Sequence, residues 1–143
     1  MLIAHVIRDK GAVVHTIGAN ATLEEAAKEL NDRRVGALVV LDEERAVIGV
    51  LSERDIIREI ARGGAAHLND SVGSAMSRNV VVAVPEETID EGLGRMTDRR
   101  VRHLPVIVAG ELVGVVSIGD LVKHRIALAE AESAAMQAYI AAQ

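Results

Sequence analysis

The chain has 143 residues, enough to bury one compact core or two half-domains that share one. Half of it is apolar and 26% is charged, which excludes a disordered chain, and with no Phe or Trp and Tyr139 as the only aromatic its core must be aliphatic. A net charge of −5 and a pI of about 5.5 argue against nucleic acid as the main partner; the lack of cysteine excludes disulfides, thiol catalysis and cysteine metal sites.

The N-terminal stretch Met1 to Arg8 is interrupted by His5 and Arg8 and is too short to span a bilayer, so the expectation is a cytoplasmic protein with no membrane partner. A one- to two-turn helix is expected over 2–9. Val13 to Ile17 reads as a short strand closed by Gly18. Thr22 with Glu25 three residues on has the spacing of a capping box, and Leu23, Ala26, Ala27 and Leu30 follow at helical intervals to about Arg34. The apolar run Gly36 to Leu41 fits a buried strand. The charged turn Asp42 to Arg45 joins it to a second strand, Ala46 to Leu51, and Ser52 opens a helix to about Arg62.

Gly63-Gly64-Ala65-Ala66 is small and without periodicity, and reads as a flexible boundary. After it a short helix is expected at about 71–76 and a strand at Val80 to Val84. Thr88 with Glu91 repeats the cap of a helix that runs to Arg100. Strands are expected at Leu104 to Val108 and Leu112 to Val116, and Ser117 opens a last helix that continues to about Ala142. Pro105 occupies a strand position that is Val39 in the first half, which places that segment at a sheet edge or a bulge.

The two halves are copies. Gly-Val-Leu-Ser-Glu-Arg-Asp at 49–55 recurs as Gly-Val-Val-Ser-Ile-Gly-Asp at 114–120, so Ser52 and Ser117, like Asp55 and Asp120, are 65 positions apart. Asp32-Arg33-Arg34-Val35 recurs as Asp98-Arg99-Arg100-Val101. The fold class predicted is therefore α/β (α+β). Two β-α-β-β-α repeats, 1–62 and 71–125, pack about a pseudo-twofold axis with a linker at 63–70 and a helical extension at 126–143. The Ala-rich extension has too few apolar residues to bury on one domain, so it either packs on a partner subunit or runs into solvent.

The repeated Ser-x-x-Asp reads in two compatible ways. Ser at the N-cap with an acid three residues later is a capping box. The same helix start offers free N–H groups and partial positive charge to a phosphate, while an ionised Asp accepts hydrogen bonds from vicinal sugar hydroxyls. The duplicated Arg33-Arg34 and Arg99-Arg100 fit helix C-termini, where cations meet the helix dipole. The five histidines show no metal-binding spacing, so no metal site is expected.

Gly-h-h-Ser-x-x-Asp (h apolar) after two short strands, twice at this interval and over roughly 5–125, resembles the tandem cystathionine-β-synthase (CBS) domain pair. The resemblance implies two clefts, each taking Ser-x-x-Asp from one copy and adenine-contacting backbone from the other. It implies ligands such as AMP, ADP, ATP, NAD(H) or S-adenosylmethionine, and a homodimer. Carried over residue by residue, one cleft would comprise Val14, Thr16, Ile17, Gly36, Ala37, Ser117, Gly119 and Asp120, with Lys123 or Lys10 at the phosphate. The other would comprise Ser52, Glu53, Arg54, Asp55, Asn79, Val80, Val82, Arg102 and His103. Gly36-Ala37 corresponds to Arg102-His103, so the clefts are expected to differ, the Ser52/Asp55 cleft favouring more phosphate charge. Lys123 is either a phosphate ligand or a solvated helix residue, and Arg102-His103 either neutralise phosphates or lie on an exposed strand.

The function expected is a non-catalytic regulatory module that binds adenine nucleotides and signals to an unknown client protein by conformational change, without a catalytic cofactor. The competing readings are a ligand-free dimeric scaffold and a nucleotide-processing enzyme; for the latter no His or Lys base recurs beside the serines.

Overall fold

The computed structural model describes residues 1–11 and 13–143. It divides into two compact units. One holds Val13–Val80 with Ala109–Leu112; the other holds the N-terminal helix, Val81–Val108 and Val113–Gln143. Each is an α/β assembly, as the sequence predicts.

In the first unit the elements are β1 (Thr16–Gly18), α2 (Leu23–Arg33), β2 (Ala37–Leu41), β3 (Val47–Ser52), α3 (Glu53–Gly63), a 3-10 helix (Gly64–Asn69) and α4 (Val72–Ala75). The sheet order is β1-β2-β3, with β1 parallel and β3 antiparallel to β2. Thr22 caps α2 by accepting the Glu25 N–H at 3.1 Å, and the 3.6-residue period places Leu23, Ala26 and Leu30 on its buried face. These pack with Leu38, Val40, Leu51 and Ile56. Arg34 ends the helix in the left-handed region, at φ 56, where the sequence supplies no glycine. β1 starts at Thr16 rather than the expected Val13. Thr16 lies opposite Val39, so in the same register Val14 meets the first residue of β2 and Val13 runs past its end. The 63–66 stretch, expected to lack regular structure, forms the end of α3 and the start of the 3-10 helix.

The second unit contains α1 (Ile3–Lys10), α5 (Ile89–Arg99), β4 (His103–Val108), all but the first two residues of β5 (Glu111–Ser117), and α6 (Ile118–Ala141). Its sheet has two strands, because the expected strand at Val80 to Val84 is reduced to one bridge, Ala83 with Val106. Pro105 is the reason. In the first unit Val39 N–H donates to His15 C=O at 3.2 Å, whereas Pro105, in the matching position, has no N–H to give to Val81. Only Ala83 N–H to Pro105 C=O and Ile107 N–H to Ala83 C=O form.

Each unit is completed by the segment that leads into the other repeat. α1 docks in the second unit through Ile3 N–H to Glu87 C=O and Ala4 N–H to Pro85 C=O, and buries Ile3 and Val6 beside Ile89, Met96, Leu104 and Leu121. α4 and Met76 bury against the first unit's core. The repeated glycines admit these segments: a Cβ on Gly49 would overlap Met76, and one on Gly114 would overlap Ile7. α6 keeps Leu121 buried, and from residue 129 onward it is exposed on all sides. No helix is long and apolar enough to cross a membrane among the described residues.

Ile3 is fully buried although it stands two residues from the N-terminus. Ile3→Ala is therefore expected to lower unfolding stability by about 2–5 kcal/mol, the range for truncating a core aliphatic. Urea denaturation checks this, and a change of under about 0.5 kcal/mol, typical of surface positions, would show that α1 is not part of the core.

Candidate functional site

Ser52 and Ser117 end their strands in extended conformation and become N-caps of α3 and α6. Both make reciprocal capping boxes. Ser52 Oγ accepts the Asp55 N–H at 3.3 Å, and Asp55 Oδ2 accepts the Ser52 N–H at 2.8 Å. In the other unit the matching distances are 3.1 and 2.9 Å. The first helical N–H is also used, Glu53 donating to Gly36 C=O at 3.0 Å and Ile118 to Arg102 C=O at 2.8 Å. That leaves the N–H groups of Arg54 and Gly119 without a hydrogen bond among the described residues, one donor at each exposed helix start.

The two aspartates are neutralised differently. Lys10, at the end of α1, donates from Nζ to Asp120 Oδ2 at 2.7 Å and to Val115 C=O at 2.9 Å. Asp120 Oδ1 has no hydrogen bond among the described residues, which leaves it open to a hydroxyl. Burial raises the Asp120 carboxyl, but the Lys10 bond and the Ser117 N–H outweigh it and hold the group below the ordinary carboxylate range. Asp55 is buried, only 8% exposed, and has both oxygens engaged. Oδ2 takes the Ser52 N–H and hydroxyl, and Oδ1 takes Arg58 Nη2 at 2.6 Å. A ligand hydroxyl at Asp55 would have to share Oδ1 with Arg58.

Of the other predicted residues, Thr16, Ile17, Ala37 and His103 lie on the expected strands, whereas Val14, Val80 and Val82, expected on strands, lie outside them. Thr16 and Ile17 lie on β1, and Val14 precedes it, half-buried. Gly36 precedes β2 and Ala37 opens it, both beside Ser52: Ala37 pairs with Ser52, and the Gly36 C=O accepts from Glu53 N–H. Arg102, exposed, and His103, half-buried, stand in the same way at the start of β4, next to Ser117 through the Arg102–Ile118 bond. Asn79 and Val80 follow Ser77, which pairs with Val50. Glu53, Arg54, Asn79, Val82, Gly119 and Lys123 are exposed. Of the two lysines proposed for the Asp120 site, Lys10 is the one that bonds the carboxylate. Arg58 was missed, although its place one turn after Asp55 on the same helix is a readable signal. His124, whose Nδ1 lies 2.9 Å from Asp120 C=O and Nε2 3.2 Å from Asp9 Oδ2, was also missed, since Asp9 and His124 are far apart in the chain.

The strand, the helix start and the Ser-x-x-Asp box occur once in each unit, and the CBS domain profile matches the chain twice, at residues 9–62 and 72–127. The chain belongs to the CBS domain family. It is similar to the crystal structure of a CBS-domain protein from Agrobacterium tumefaciens, at 40% identity and TM-score 0.84, over 87% of this chain and 92% of that one. It is also similar to a Pyrobaculum aerophilum CBS domain protein complexed with AMP, at 26% identity and TM-score 0.79, over 93% and 99% of the two chains. A mitochondrial CBS domain-containing protein of Arabidopsis thaliana is 35% identical over 83% of this chain, which spans 60% of that protein's length.

A carboxyl held below its ordinary range stabilises the fold in full above the unfolded pKa of about 3.9. That contribution is lost as the pH falls through the depressed folded value. Between about pH 5 and pH 2 the wild type is expected to lose more stability than Lys10→Met, measured by urea midpoints across the range. Equal losses would mean that Lys10 does not set the Asp120 carboxyl.

Proposed function

We propose that the chain is a non-catalytic regulatory module that binds adenine nucleotides of the AMP, ADP, ATP and NAD(H) class and responds by conformational change. The observation that carries this reading is the Asp120 site. A carboxylate oxygen without a hydrogen bond, the unused Gly119 N–H and the Lys10 ammonium are the groups that a ribose hydroxyl and a phosphate require. The AMP complex of the Pyrobaculum relative supports the same class of ligand. The reading assigns base recognition to backbone and aliphatic side chains at Val14, Thr16, Ile17, Val80 and Val82, and phosphate contacts to Lys10, Arg54, Arg102 and His103. Ser52 and Asp55 form the second, less open site, where Arg58 competes for the carboxylate. The reading also includes a homodimer, supported by Met136, Tyr139 and Ile140, which are 60–65% exposed on α6, and a separate client protein. As the chain spans only part of some relatives, any attached activity belongs to this proposal too.

Ligand at 100 times Kd adds about 2.7 kcal/mol of stability, so AMP, ADP, ATP or NAD(H) is expected to raise the melting temperature. A flat response to all of them would favour the ligand-free scaffold. By calorimetry, Asp120→Ala is expected to remove the tighter AMP site while Asp55→Ala retains it. Lys10→Met should weaken AMP by about tenfold or more, the equivalent of one charge-assisted hydrogen bond. Equal losses in Asp120→Ala and Asp55→Ala would refute the assignment.

A further inference from the structure

At the far end of α3 from Ser52, three side chains converge on one point. Glu59 on α3 and His67 and Asp70 at the end of the 3-10 helix place one ligand atom each within 4.8 Å of the others. His67 Nδ1 lies 3.2 Å from Glu59 Oε2 and 3.6 Å from Asp70 Oδ2. Ligand atoms bound tetrahedrally at about 2.0–2.2 Å sit about 3.4 Å from one another, so the two separations from His67 match a metal's coordination edge, and the Glu59–Asp70 separation stays within 4.8 Å. We propose that Glu59 Oε2, His67 Nδ1 and Asp70 Oδ2 bind a divalent transition-metal ion of the zinc class.

The surroundings are built for that use. One nitrogen with two carboxylate oxygens is a borderline donor set that suits Zn2+ and its neighbours over Mg2+ or Ca2+. Arg62 Nη1, 3.2 Å from Glu59 Oε1, turns the other oxygen of that carboxylate toward His67, an outer-shell contact that orients a ligand. The backbone is fixed on both sides. Asp70 N–H donates to His67 C=O at 3.0 Å, and Asp70 C=O accepts from Leu23 N–H at 2.9 Å, which ties the segment to the start of α2. Glu59 is largely buried, its side chain 13% exposed, while Asp70 and His67 keep an open approach from solvent. The His67 ring lies flat against Gly63, where any Cβ would overlap it. Gly63 has φ −136, a conformation open to any residue, so the ring and not the backbone is what uses a glycine here.

A metal at this point would staple the 3-10 helix to α3, a structural role independent of nucleotide. Its ligands come from two elements at 59, 67 and 70, a spacing that matches no short metal motif in the sequence.

The test is a Zn2+ titration of the full, metal-stripped chain without nucleotide, followed by calorimetry, with Co2+ absorption as a second probe of His coordination. One Zn2+ per chain at this site is expected. Glu59→Gln and His67→Gln should each abolish it, and the exposed Asp70→Asn should weaken it at least tenfold. Gly63→Ala, which keeps every ligand but displaces the ring, should also weaken it, with unchanged circular dichroism. Asp55→Ala and Asp120→Ala should bind Zn2+ as the wild type does, so failure of the nucleotide reading leaves this result intact. No Zn2+ binding by the wild type, or equal binding by wild type, Asp70→Asn and Gly63→Ala, would overturn the proposal.

Discussion

The packing of the Ile7 side chain on Gly114 lets α1 lie close to β5 in the second unit. Without a side chain there, Ile7 lies against β5 and α1 seats beside α6. Three residues after Ile7 the helix ends at Lys10, and that spacing delivers an ammonium to Asp120. The glycine of the repeated motif therefore acts two steps removed from any ligand. It leaves room for Ile7, α1 carries Lys10, and Lys10 helps hold the Asp120 carboxyl below its ordinary range. In the first unit Gly49 admits Met76 in the same way, but the segment that follows brings no cation to Asp55. Its one basic residue, Arg78, donates to Gly73 C=O instead, and Arg58 from α3 takes the carboxylate.

The capping boxes use some of the same atoms that the proposed ligand sites need. The serine hydroxyl and one carboxylate oxygen are spent on the helix start in both units. What is left over decides the chemistry. At Asp120 an oxygen without a hydrogen bond and the Gly119 N–H remain, next to a lysine that also rests on a carbonyl. At Asp55 the second oxygen is closed by an arginine one turn along the same helix. Two copies of one motif thus present different surfaces, and the difference comes from residues outside the motif.

The elements with strong periodicity and caps were legible in the sequence. Thr22 with Glu25, Thr88 with Glu91, and the two Ser-x-x-Asp starts all cap helices in the expected places. What could not be read locally depended on partners distant in the chain. Pro105 was recognised as unusual, yet its consequence, the loss of the Val80 to Val84 strand, required knowing that Val39 N–H serves His15 in the first unit. The docking of α1 with the second repeat was invisible because Ile3 and Val6 look like any amphipathic pair. The charged site groups divide likewise: Asp120 was found from its motif, Lys10 only as one of two lysines, and His124 not at all. The Glu59, His67 and Asp70 group escaped because it is assembled from α3 and the end of the 3-10 helix that follows it.

The account rests on the claim that the Asp120 helix start is the more open nucleotide site. An AMP titration followed by backbone amide resonances reads it residue by residue. The account predicts that the amides of Ser117, Gly119 and Asp120 shift and saturate at lower AMP than those of Ser52, Arg54 and Asp55. Saturation in the opposite order, or no movement at Ser117, Gly119 and Asp120, would contradict it.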